Sequence, residues 1–142
     1  MIKHEVTIHL NRPVEQVFAF LADTGKVSTW QSNLLELEQL TEGPLRLGSR
    51  FREIRRLGRR DAEIEGQVIA FEANRRLEIR TTTKPEVTVS YSFDRENGGT
   101  RLRYKFVLLS SGLMRLLDPL LARSIKKERQ SDFETLKQIL EN

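Results

Sequence analysis

Tyr91 and Tyr104 are the side chains of this sequence best placed for chemistry. Two phenols on neighbouring strands can orient a carbonyl or a phenol, or donate a proton. The same pair would serve equally as cross-strand aromatic packing, with its hydroxyls turned to water or backbone. Glu53 and Arg55 come next. Two residues apart on a strand they share a face, where they would pair with each other or anchor a polar group of a ligand. Thr81 adds a hydroxyl predicted to face inward, and Trp30 could wall a cavity mouth or anchor a helix to a sheet. His4 falls on the apolar parity of its segment and reads as a core or strand-end histidine before it reads as a base. No acid–base dyad, nucleophile or metal motif stands out. The chain has no cysteine, which excludes disulfides, thiolate nucleophiles and Cys-ligated zinc or iron–sulfur clusters. His4 and His9 are its only histidines, and no cofactor is expected.

The elements that must position these residues are bounded by length. The 142 residues suit one domain over 1–142, too short for two good cores. Hydrophobic residues make up 38% and charged residues 31%, with Leu, Ile, Val and Phe recurring periodically, so the chain is expected to fold. No stretch approaches the ~18 uninterrupted apolar residues of a membrane span, and residues 1–5 lack a signal-peptide run. A cytoplasmic location is the expectation. The net charge of +4 is modest and interspersed with acids, and the chain offers neither exposed aromatics among its basic residues nor a groove-entering helix, so nucleic acid is not expected as a partner.

Residues 3–10 alternate, with His4, Val6, Ile8 and Leu10 on one face, which is a strand pattern. Asn11-Arg12-Pro13 then predicts a helix start, with Asn11 as cap and Pro13 in the first turn. Val14, Val17, Phe18 and Leu21 continue it, and a second short helix is predicted over 26–31. From residue 34 to 109 six strands follow, over 34–41, 49–57, 61–72, 76–83, 87–95 and 100–109, joined by hairpin-length turns. Asn97-Gly98 fixes the last hairpin: it pairs Phe93 with Leu102, Tyr91 with Tyr104, Val89 with Phe106 and Val87 with Leu108 on one apolar face. A turn at Gly58-Arg59 pairs Arg56 with Asp61 and Arg52 with Glu65, which leaves Glu53 and Arg55 on the apolar face. An exposed sheet edge, or a turn one residue longer, would remove that anomaly. The cluster Arg46, Arg50, Arg52, Arg55, Arg56, Arg59 and Arg60 faces Asp61, Glu63 and Glu65, either as cross-strand ion pairs or as a docking patch for an anion. Residues 111–141 form a helix with an apolar stripe from Leu113 to Leu140, kinked or truly begun at Pro119. Strand, two short helices, six-strand meander and long helix put that helix across an antiparallel sheet. Gly66 and Ala70 add no bulk inside, leaving either a tight core or a pocket.

The run from Asn11 through Pro13, Val17, Phe18 and Leu21 to Asp23, followed by Trp30, resembles the opening of START-like, birch-pollen-allergen-like proteins, including their polyketide cyclase/dehydrase group. Gly48-Ser49-Arg50-Phe51, Val68-Ile69-Ala70-Phe71-Glu72 and Gly98-Gly99-Thr100-Arg101 fit the same group, so the resemblance spans the chain. It implies an α+β helix-grip fold, a seven-stranded antiparallel sheet wrapped around the C-terminal helix with an apolar cavity between. It also implies binding of a small hydrophobic molecule: a lipid, a polyketide or an aromatic compound. Trp30, Phe51, Glu53, Arg55, Val68, Ile79, Thr81, Tyr91, Tyr104 and Phe106 are the residues expected to line that cavity. Two alternatives stand beside this reading: a polyketide cyclase or dehydratase using an interior group such as Glu53 with a tyrosine, and a co-chaperone-like interaction module with a collapsed cavity.

Overall fold

Alternation makes the first strand, β1 (Ile2–Leu10), but its partner is the last strand in the chain rather than the next. The computed structural model describes residues 1–142 as a seven-stranded antiparallel sheet of order β1-β7-β6-β5-β4-β3-β2. The remaining strands are β2 (Leu34–Gln39), β3 (Arg50–Leu57), β4 (Arg60–Glu72), β5 (Arg76–Thr81), β6 (Glu86–Glu96) and β7 (Gly99–Leu109). Between β1 and β2 lie helix α1 (Val14–Ala22) and a 3-10 turn (Val27–Thr29). A second 3-10 segment (Gly112–Leu117) leads into α2 (Asp118–Glu141).

Both hairpin registers agree with the sequence. At the β6–β7 turn Asn97 and Gly98 have φ of 50° and 77°, the left-handed pair a type I′ turn needs. Tyr91 lies opposite Tyr104, with Val89–Phe106 and Phe93–Leu102 on the same face. At the β3–β4 turn Arg56 lies opposite Asp61 and Arg52 opposite Glu65, so Glu53 and Arg55 do belong to the inner face. Part of the arginine cluster is answered by carboxylates on the sheet: Arg52 meets Glu36, Glu38 and Glu63, and Arg56 meets Asp61.

Three local expectations are corrected, and one open alternative, at Gly66, is decided. Asn11 does not cap α1. The helix starts from Pro13 with no side-chain cap, and the Asn11 N–H instead donates to Glu141 Oε2 at 2.8 Å. The second helix shrinks to the 3-10 turn ahead of Trp30. Gly66 is not open space: Phe51 lies directly opposite, and a Cβ at Gly66 would stand 2.6 Å from the Phe51 ring and 2.8 Å from the Arg80 carbonyl oxygen. Ala70 does not continue the inner face, because a bulge between Val68 and Ala70 sets Ala70 opposite Glu78 and Phe71 opposite the buried Leu77. Phe71 then packs edge to face on Phe18 at 5.4 Å.

The C-terminal helix departs most from its pattern. Pro119 marks the start of α2 rather than a kink, since its missing N–H costs nothing in the first turn. Phe133 and Leu136 are buried and Leu121 and Ile125 half-buried, but Leu113, Leu116, Leu117 and Leu120 face outward. The cause is helical phase. At about 100° per residue Leu113, Leu116 and Leu117 fall within about 60° of Leu120, whereas Ile125 and Leu136 lie about 140–160° from it, so the two sets occupy opposite faces.

Candidate functional site

Glu53 and Arg55 meet on the inner face of β3 as a two-pronged ion pair. Arg55 Nε donates to Glu53 Oε1 at 2.8 Å and Nη2 to Oε2 at 3.1 Å. The same guanidinium donates to Asn33 Oδ1 at 2.7 Å and to Gln31 Oε1 at 2.6 Å. Both side chains are about nine-tenths buried, with 11% and 10% of their surface exposed. The pair therefore ties β3 to the loop that carries Trp30. Helix α2 grips that loop from the other side. Asp132, fully buried, accepts the Ser32 N–H at 3.1 Å through Oδ1 and Arg129 Nη1 at 2.9 Å through Oδ2.

An aromatic layer lies in the same region between sheet and helix. Tyr91 and Tyr104 are cross-strand neighbours with ring centroids 5.5 Å apart. Tyr104 meets Phe133 of α2 edge to face at 4.8 Å, Phe133 meets Trp30 at 5.4 Å, and His4 of β1 meets Tyr104 at 6.3 Å. Three buried polar atoms in this ring-to-ring chain lack a well-formed hydrogen bond: Tyr104 Oη, which lies against the Arg129 guanidinium, Trp30 Nε1 and His4 Nε2. Buried polar groups are nearly always paired, because leaving one unmade costs about 1–3 kcal/mol. Three such atoms in one aromatic layer are therefore informative.

Electrostatics set the protonation states. Burial pushes the Tyr91 phenol far above its usual range, and the neighbouring Tyr104 adds to the shift. Burial also raises Tyr104, against the opposing pull of Arg129 and Arg55. Both phenols are thus protonated donors at neutral pH. Burial works against the Arg129 charge, but its surroundings, with the Asp132 and Glu128 carboxylates among them, outweigh that and raise its pKa. Burial lowers His4, with Lys126 and Arg129 adding to the effect, so its imidazole is neutral there. Glu128, half-buried beside Arg129, is raised chiefly by burial.

Val68, Phe51 and Phe106 are buried on the inner face and Ile79 is half-buried against them. Thr81 sits apart from this group. Its hydroxyl accepts the Val87 N–H at 2.8 Å and faces the Pro85 carbonyl at 3.4 Å, so it serves the β5–β6 turn. Gln31, Asn33, Arg129 and Asp132 were not singled out from the sequence. Only the spacing of Arg129 and Asp132 beside Phe133 and Leu136 could have marked them. Two open clefts lie elsewhere. One of about 360 Å³ runs beside α1, lined by residues that include Ala19, Leu45 and Phe71. The other, of about 560 Å³, opens between the β5–β6 turn and the second 3-10 segment, lined by Lys84, Pro85, Leu109 and Met114 among others. Neither is lined by the tyrosines, Trp30 or Glu53.

Known structures share this architecture. The chain is similar to TTHA0849 from Thermus thermophilus, with 14% identity, 96% of this chain and 94% of that one covered, and a TM-score of 0.80. It is similar to Ara h 8.0201, with 10% identity, 97% and 96% covered and a TM-score of 0.74. It is also similar to the Aha1 dimer from Colwellia psychrerythraea, with 14% identity, 99% and 97% covered and a TM-score of 0.72. At such identities these likenesses establish the helix-grip fold. No curated protein sequence matches the chain. No helix is long and apolar enough to cross a membrane. Residues 1–141 match the family described as polyketide cyclase / dehydrase and lipid transport, and with the sheet, grip helix and interior layer in place the chain belongs to that family.

Proposed function

We propose that the protein binds a small hydrophobic molecule carrying one hydrogen-bonding oxygen, held between the inner face of the sheet and α2. The observation that carries this reading is a set of buried donors with unused capacity, the Tyr104 hydroxyl, Trp30 Nε1 and the His4 ring, set among aromatic rings. Phenol and indole donate, so the complementary ligand group is a carbonyl or phenolic oxygen, with Arg129 adding a positive charge beside Tyr104. Phe51, Val68, Ile79, Tyr91 and Phe106 supply the apolar walls, and the Glu53–Arg55 pair holds the Trp30 loop in position. Glu53, committed to Arg55, serves as a positioning group in this reading. Any proton passed to a ligand would come from the phenols.

The test is native mass spectrometry of freshly purified protein, followed by thermal-shift measurements with a panel of lipids and flat aromatic compounds. A co-purifying small molecule, or a saturable rise in melting temperature, is expected, because a ligand selective for the native state stabilises it by mass action. Tyr104→Phe should keep the fold, match or exceed the unliganded melting temperature, and weaken an oxygen-bearing ligand by roughly tenfold, the worth of one hydrogen bond. If nothing co-purifies and no compound shifts the wild type, the reading is wrong. The protein-interaction alternative then takes its place. What favours that alternative is the Phe51 ring, which closes the space over Gly66.

A further inference from the structure

Leu113, Leu116, Leu117 and Leu120 are 83%, 78%, 58% and 68% exposed on consecutive turns of the second 3-10 segment and the start of α2. Scattered exposed leucines need no explanation, but four on one short stretch form an apolar ridge. Beyond Leu116 and Leu120 the same helical line continues through Arg123 and Lys127, spaced three and four residues apart and all exposed. Residues 109–127 contain four basic side chains, Arg115, Arg123, Lys126 and Lys127, and a single acid, Asp118. That acid is already occupied, its carboxylate accepting the Ser110 hydroxyl at 2.8 Å and the terminal amine at 3.1 Å. The ridge is thus apolar at its crest and positive along its flank, with Glu128 half-buried beside Arg129 at its far end.

We propose that this ridge docks on an anionic lipid surface, the leucines entering the interface while Arg123, Lys126 and Lys127 reach the headgroup phosphates. Long basic side chains lay their stems on apolar material and keep their charge at the polar boundary, which is the arrangement of an interfacial amphipathic segment. The charge selects this occupant. A second copy of the chain would bring its own Arg123, Lys126 and Lys127 to a symmetric contact, whereas an anionic leaflet complements them. The cleft of about 560 Å³ lies at the root of the ridge, since Met114 of the same 3-10 segment lines it. Docking stands whether or not a ligand occupies the interior, so its failure and the failure of ligand binding are separable.

The experiment is co-sedimentation of the full chain with vesicles of phosphatidylcholine alone and of phosphatidylcholine with phosphatidylglycerol. Binding should favour the anionic vesicles by about tenfold or more and fall with salt, since each basic residue at such a surface is worth roughly fivefold. Arg123→Glu with Lys127→Glu should abolish the preference. Leu116→Ser with Leu120→Ser should remove binding to both vesicles while leaving the melting temperature unchanged, because both side chains lie outside the core. Hydrogen exchange on the unsubstituted protein gives a second readout, with slowed exchange over residues 113–124 when anionic vesicles are added. Absence of binding to either vesicle, binding that survives loss of the leucines, or a wild-type dimer that the leucine substitutions turn into monomers would each overturn the proposal.

Discussion

Arg55 has nearly spent its donors, with two bonds to Glu53 and one each to Gln31 and Asn33. Replacing it with Met strands the Glu53 carboxylate in the interior, and breaking a buried pair from one side costs about 3–5 kcal/mol. Urea unfolding of Arg55→Met should show that loss, and adding Glu53→Met should recover most of it, because an apolar pair of similar volume has no charge to desolvate. His4 gives a pH signature at the same scale. Burial and the cations Lys126 and Arg129 hold its native pKa below the ordinary 6.5, with Tyr104 against its ring. Above that ordinary value both folded and unfolded chains carry neutral imidazole. As the pH falls below it the unfolded chain takes a proton that the native one refuses, so stability is lost with falling pH until the native pKa is passed. Glu128, raised by burial, acts in the opposite sense as it protonates. Between about pH 7 and pH 5 the melting temperature of the wild type should therefore drop more than that of His4→Leu. Glu53 and Arg55 were legible in the sequence because a two-residue turn fixed their parity. Gln31, Asn33 and Asp132 were not, because a loop has no period and a polar residue on a helix reads as solvated until the sheet is in place.

At the scale of elements, the hairpins were legible wherever turn chemistry and side-chain alternation named the same register, as Asn97-Gly98 did for Tyr91 and Tyr104. The bulge beside Ile69 was not, because it breaks the alternation and moves Ala70 to the outer face and Phe71 to the inner one. Gly66 was left open between a tight core and a pocket for a related reason: composition records a missing side chain but not the phenyl ring laid over it. Gly66→Ala should destabilise the fold by about 1–3 kcal/mol, the usual cost of overpacking. Adding Phe51→Ala should relieve only part of that strain, since the Arg80 carbonyl oxygen also stands within 2.8 Å of the new Cβ. Chemical denaturation of the single and double variants checks both statements. Helix α2 was legible as a helix, and its start at Pro119 was one of two readings. The outward turn of its first leucines was in the spacing but hidden by their apolar character, since Leu113, Leu116, Leu117 and Leu120 share a helical face about opposite Ile125 and Leu136.

Across the whole molecule, α2 is fastened at one end more than the other. Its last turns hold the corner between β1 and α1: Lys137 Nζ donates to the His9 carbonyl at 2.8 Å and Glu141 accepts the Asn11 N–H at 2.8 Å. Phe133, Leu136 and Asp132 lock the middle to the sheet and the Trp30 loop, whereas the first turns carry the exposed leucines. Amides over 120–126 should therefore exchange with solvent well before those over 130–137, as native-state hydrogen exchange followed by mass spectrometry would record. The pairing of β1 with β7 has a different kind of consequence. Ile2 lies opposite Leu108 and Leu10 opposite Thr100, so the strand made first in synthesis is the one whose partner arrives last among the strands. At a ribosome adding about 5–20 residues each second, β1 spends several seconds as an alternating apolar ribbon with nothing to pair against. Closing so long a loop is slow and must precede the contacts that reward it, which leaves the apolar face of β1 uncovered until β7 is out.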